Sequence, residues 1–154
     1  MRYTLKILLL LALVSFVPQA QAQDSKPDHW LTLSMVNLES KFDDMMGMVI
    51  KTATPTPIVQ AMHGKEIEIR GYMIALDVKA AQSHFMFSRF PQNMCFFCGA
   101  AGPESAMQVF TRDKVKLKHT TNKVVLKGTL NIQKGDPTGL IYTLTDATLV
   151  DILK

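Results

Sequence analysis

The sequence predicts a mainly β fold: a small five-stranded OB-like barrel preceded by an irregular or partly helical N-terminal segment. Three observations predict it. Five segments after residue 65 carry strand-type patterning. Two of them hold a central glycine, Gly71 and Gly128, where a strand bulges or bends sharply. All five fit within residues 66–150, a span that suits one strongly curved barrel, and the OB arrangement is five-stranded and partly open. A small sandwich gives similar spacing.

The elements follow in order. Arg2 and Lys6 form a positive start, Ile7 to Val17 is almost continuous hydrocarbon, and Ala20-Gln21-Ala22 offers small residues at a cleavage site. This is the pattern of a secretory signal peptide over residues 1–22. Its apolar run of 11 residues falls well short of the ~18–20 that a spanning helix needs, so no membrane span is expected after cleavage. No cysteine follows that run, so a lipoprotein anchor is not expected either. Residues 23–28 are polar and read as a flexible lead-in.

Residues 29–154 read as a single β-rich domain. In its first part the pattern is ambiguous. Trp30, Leu31, Leu33, Val36 and Leu38 partly alternate, as in a strand. Lys41 to Met48 fits a helical turn or a loop ended by Gly47. Thr52 to Pro57 alternates threonine or alanine with proline and reads as an extended linker. Ile58 to Met62 fits one helical turn, ended by His63-Gly64.

The strands come next. Glu66 to Ile74 alternates polar and apolar at its start, the two-residue period of a half-buried strand. Ser83 to Phe90, Ala106 to Thr111, Lys123 to Ile132 and Leu140 to Val150 complete the set. A dense turn signal, Gly135 to Gly139, separates the last two.

Composition narrows the function. The 154-residue chain carries a formal charge of +4, but removing residues 1–22 leaves 132 residues and a charge of +2. That balance gives no dense basic patch and excludes an obvious nucleic-acid binder. The chain is too apolar for disorder. Two cysteines are too few for a disulfide-stapled scaffold, and a domain of this size folds without a metal or bridge. There is no Gly-x-Ser-x-Gly, no phosphate-binding glycine loop and no His-Glu-x-x-His, so enzyme activity is not indicated.

The sharpest motif is Cys95-Phe96-Phe97-Cys98-Gly99, between the second and third predicted strands. Two cysteines three apart place both sulfurs at one tight turn. They can offer thiolates to one metal, zinc first. They can also form a redox-active disulfide, or a structural one in an oxidising compartment. A full zinc site needs two more ligands. His84 is the leading histidine, because its strand runs towards the cysteine loop; Glu104 follows the loop closely; His63 and His119 are weaker candidates. Phe96 and Phe97 would help wall the sulfurs from water, and no βαβ unit supplies a helix to activate a thiol, which favours metal or a structural bridge over exchange. Met45-Met46-Gly47-Met48 with Met94 raises copper, but methionine more often fills irregular cores.

Trp30-Leu31-Thr32-Leu33, His63 to Asp77 (HGKEIEIRGYMIALD), Cys95 to Ser105 (CFFCGAAGPES) and Tyr142 to Ala147 (YTLTDA) together resemble a family of small exported bacterial proteins of uncharacterised function. Its pattern is W-x-x-L, then G-K-x-x-x-x-G-Y-x-I-P-L-D, then C-F-F-C-G-x-A-G-P-E-S. Ala75 departs from it, standing where the pattern has proline. The resemblance implies a periplasmic or secreted protein. It also implies a partner among envelope transporters linked to metal handling. The combined expectation is an envelope protein binding zinc through Cys95, Cys98 and either His84 or Glu104. The alternatives are a periplasmic thiol-disulfide protein and a structural disulfide loop on a protein-binding barrel.

Overall fold

The elements run α1 (His29–Leu33), β1 (Val36–Asp43), β2 (Met48–Pro55), α2 (Pro57–Gln60), β3 (Glu66–Ile74), β4 (Ala81–Gln82), β5 (His84–Ser88), β6 (Ala106–Thr111), β7 (Leu117–Lys118), β8 (Val124–Ile132) and β9 (Tyr142–Ile152). They belong to a computed structural model that describes residues 27–45, 47–76, 79–133 and 139–154. The expected signal peptide, most of the lead-in and most of the Gly135–Gly139 turn lie outside the described residues. No helix among the described residues is long and apolar enough to cross a membrane.

Five strands close into a barrel in the order β3-β5-β6-β9-β8. Numbered along the chain this is 1-2-3-5-4. Every neighbouring pair is antiparallel except β6 and β9. That is the OB arrangement, and the five barrel strands are those the sequence patterning marks out. On β3 the period-two pattern becomes alternation between core and surface, with Ile67, Ile69 and Met73 buried. Phe85, Phe87, Met107, Val109, Leu126 and Leu144 fill the same core from the other strands.

Both central glycines sit where the barrel needs them. β3 pairs with β8 through Gly71 and with β5 from Tyr72 onward, so the strand changes partners at that residue. A Cβ on Gly71 would lie 2.5 Å from the Ser88 carbonyl oxygen and 2.8 Å from the Phe87 ring. On Gly128 it would lie 2.7 Å from the Thr145 carbonyl oxygen, beside a register shift between β8 and β9.

The N-terminal segment differs from three expectations. Trp30 to Leu33 is helical, not strand-like. Asp28 caps α1 by accepting the Trp30 backbone N–H at 3.1 Å, and Trp30 and Leu33, one turn apart, both enter the core while Leu31 stays exposed. Residues 36–55 form a hairpin, paired from Val36↔Pro55 to Asp43↔Met48. Its turn uses Gly47 at φ +64°, so the expected loop or helical turn at Lys41 to Met48 is a strand end, a turn and a strand start. Thr52 to Pro55 is extended as expected, but it is a paired strand instead of a linker. The expected helical turn appears as α2, with Pro57 at its start, where no N–H is needed, and Gly64 at φ +75° beyond its end.

Candidate dithiol site

The chain leaves β5 at Ser88 and reaches β6 at Ala106 through a loop of short 3₁₀ turns. Gln92–Met94 forms one turn and Phe96–Cys98 the next. Between them Cys95 is extended (φ −83°, ψ 172°), which turns its side chain into the protein. Gly99, at φ +75°, closes the second turn, a conformation that costs glycine least. The Cys98 N–H donates to the Cys95 carbonyl at 3.1 Å.

The two thiols have opposite settings. Cys95 is fully buried among Ile74, Met86, Ala106 and Leu140, with Phe96 packed against them. Cys98 is exposed, and its Sγ donates to the Gln92 carbonyl oxygen at 2.9 Å. Both are free thiols in direct interaction. Desolvation, then the hydrogen bond and charge of Cys95, push the Cys98 thiol above its ordinary value. Phe96 covers Cys95 as expected, but Phe97 is 47% exposed and does not seal Cys98 from water.

The other candidates have settings of their own. His84 begins β5, and the cysteine loop leaves the opposite end of that strand, about 13 Å away along it. Sequence proximity misleads here, because an extended strand carries its ends apart. His84 stacks on Phe110 with ring centroids 4.2 Å apart, and its Nε2 lies 3.2 Å from Gln108 Oε1. His63 accepts the Ile132 backbone N–H on Nδ1 at 3.0 Å. Glu104 sits in the Pro103–Ser105 turn, where its Oε2 is buried and has no hydrogen-bond partner. Its charge acts on Tyr142, whose phenol burial raises first and Glu104 second. Among the described residues no group of three or more His, Cys, Asp or Glu side chains could hold a metal ion.

A second concave feature escapes the sequence reading. A cavity of about 470 Å³ opens on the outer face of β3, between the start of α1 and the Arg89–Pro91 segment. Glu68, Arg70 and Tyr72, alternate residues of β3, line it. Their spacing was the available signal: three polar or aromatic side chains on the outward face of a strand whose other face is core.

No curated protein matches the chain. Among solved structures it is similar to a crystal structure of a DUF3299 family protein from Pseudomonas aeruginosa PAO1, at 15% sequence identity and a TM-score of 0.46, covering 64% of this chain and 69% of that one. The family model described as "Protein of unknown function (DUF3299)" matches residues 15–147, nearly the whole sequence, so the chain belongs to the DUF3299 family.

Proposed function

We propose that this chain is an exported protein of the bacterial envelope, with residues 1–22 as its removable leader, and that the Cys95–Cys98 loop is its working site. The loop holds a thiophilic transition metal, zinc first. One observation carries the reading: an exposed thiol and a buried thiol meet at a single tight turn. Such a pair is a bidentate half-site, whereas zinc takes four ligands, with sulfur at about 2.3 Å. The other positions fall to water, to residues outside the described set, or to a partner such as an envelope transporter. A half-site open on one side suits receiving and passing on an ion. Because the ligands are thiolates, the raised Cys98 thiol makes uptake favour alkaline pH. Cys95 and Cys98 are the core of the ligand set; His84 is engaged elsewhere, and Glu104, whose Oε2 has no hydrogen-bond partner, stays a candidate third ligand.

The burial of Cys95 favours a second reading, a disulfide. Loss of two electrons and two protons to an external oxidant would join the sulfurs while Cys95 stays buried. Thiol exchange as a catalytic activity is disfavoured, because a raised thiol pKa leaves little thiolate at neutral pH.

The test is protein purified from the cell envelope without reductant, measured for bound metal by mass spectrometry and for free thiols. Stoichiometric zinc that protects two thiols, and is lost in Cys98→Ser, supports the metal reading. Metal-free protein with no titratable thiol overturns it in favour of the disulfide.

A further inference from the structure

We propose that the cavity on the outer face of β3 is a second binding site, for a small organic anion carrying a phosphate or carboxylate on a flat ring. It is independent of the cysteines. The walls come from four parts of the fold: the segment that opens α1, β3, the Arg89–Pro91 segment after β5, and Lys123 just before β8. They meet where β3 leaves β8 and joins β5. Gly71 permits that exchange by letting the Ser88 carbonyl and Phe87 ring approach closely, so the cavity is framed by barrel strands.

Its chemistry is cationic and aromatic. Arg70, Arg89 and Lys123 line it against the carboxylates Asp28 and Glu68, an excess of one positive charge. Two of the cations lie close to ring faces. The Lys123 ammonium sits 5.4 Å from the Tyr72 ring centroid, and the Arg89 guanidinium sits 5.6 Å from that of Phe90. Among the described residues Lys123 meets that ring and no carboxylate. Arg89 reaches Asp28 at 3.7 Å, with the side chains 31% and 48% exposed. A pair so long and so open contributes little and yields readily to a better anion. A guanidinium and an ammonium recognise phosphate or carboxylate through charge-assisted hydrogen bonds, and the two rings offer flat apolar walls. The volume falls within the usual range of small-molecule pockets.

Trp30 makes the proposal readable, because it is the chain's one tryptophan and it lines the cavity. Purified protein, as the cell produces it, is titrated with phenyl phosphate, benzoate, inorganic phosphate and phenol while Trp30 fluorescence is followed. A saturable change is expected with phenyl phosphate or benzoate, and whichever binds more tightly identifies the anionic group. Inorganic phosphate and phenol should bind at least about tenfold more weakly, the worth of one charged hydrogen bond or one buried ring. Lys123→Gln should weaken phenyl phosphate or benzoate by about tenfold, and Arg89→Ala/Lys123→Gln further, with unchanged circular dichroism. Cys98→Ser should leave the titration unchanged, which separates this site from the dithiol. Three results would overturn the proposal: no saturation by either anion, phenol binding as tightly as phenyl phosphate, or a folded double variant that binds as before.

Discussion

Tyr142 donates its hydroxyl to the Leu33 carbonyl oxygen at 2.6 Å, across 109 residues of sequence. The bond ties the last barrel strand to the C-terminal end of α1. The phenol is buried, and the carbonyl it satisfies belongs to the last helical turn, which has no intrahelical partner. Tyr142→Phe should therefore cost about 1–3 kcal/mol in denaturant unfolding, because a buried acceptor loses its donor.

The same phenol carries a pH dependence. Burial first, and the Glu104 carboxylate second, hold the Tyr142 proton far above the ordinary phenol value near 10. The folded state thus binds this proton more tightly than the unfolded state. The resulting stability is complete below pH about 10 and is lost as pH rises beyond it. Wild type and Tyr142→Phe should accordingly converge in stability as pH climbs past 10. A gap that stays constant or widens would contradict the assignment.

Cys98 and Cys95 should react in a fixed order. Cys98 is exposed and Cys95 is fully buried, so iodoacetamide should modify Cys98 alone in the native protein and reach Cys95 only on unfolding. The Cys98 rate should rise with pH to a midpoint above the ordinary thiol value near 9, because the thiolate is the reactive form. Cys95→Ala removes two causes of that shift, the hydrogen bond and the charge of Cys95, and should lower the midpoint. Mass spectrometry of pH-stepped alkylation reads both effects. Equal modification of the two cysteines in native protein would contradict the geometry.

Two glycines should respond to substitution for different reasons. Gly71→Ala drives a methyl group into the Ser88 carbonyl and the Phe87 ring, atoms held by barrel strands, and should destabilise by about 1–3 kcal/mol or more. Gly64→Ala meets no atom within 4 Å but must hold φ +75°, so it should cost about 1–2 kcal/mol through backbone strain alone. Leu or Val at the two sites tells them apart. The larger side chain should worsen residue 71 steeply, while Leu at residue 64 should behave much as Ala does.

The barrel was legible because its signals are local. Ile67 and Ile69 alternate with Glu66, Glu68 and Arg70, and Gly71 and Gly128 mark close approaches that a sequence can announce. The N-terminal segment was harder to read. Trp30 and Leu33 are spaced as one helical turn, but Leu31 between them imitates alternation, and only the Asp28 cap separates the two patterns. The β1–β2 hairpin hides its strand in Thr52 to Pro55, where proline suggests a linker; a two-stranded ribbon has unpaired edges that accept it. At the site, the cysteine loop was legible from spacing. The separation of His84 was not, because it depends on where the strand ends point. The opposite burial of Cys95 and Cys98 arises from contacts with Ile74, Met86 and Leu140, which the sequence holds far away.

Glu104 presents the last test. Its Oε2 is buried without a partner, and its charge bears on Tyr142. An unpaired buried carboxylate oxygen costs stability, so a change that removes the charge and keeps the shape should not destabilise. Glu104→Gln should leave the protein as stable as wild type, or more stable by about 1 kcal/mol. It should also bring the Tyr142 titration down towards its ordinary value, as ultraviolet difference spectra at high pH would report. If Glu104 contributes to the dithiol site, the same variant should lose bound metal while gaining stability. If metal content and thiol protection are unchanged, Glu104 belongs to the Tyr142 environment alone, and the ligand set contracts to Cys95 and Cys98.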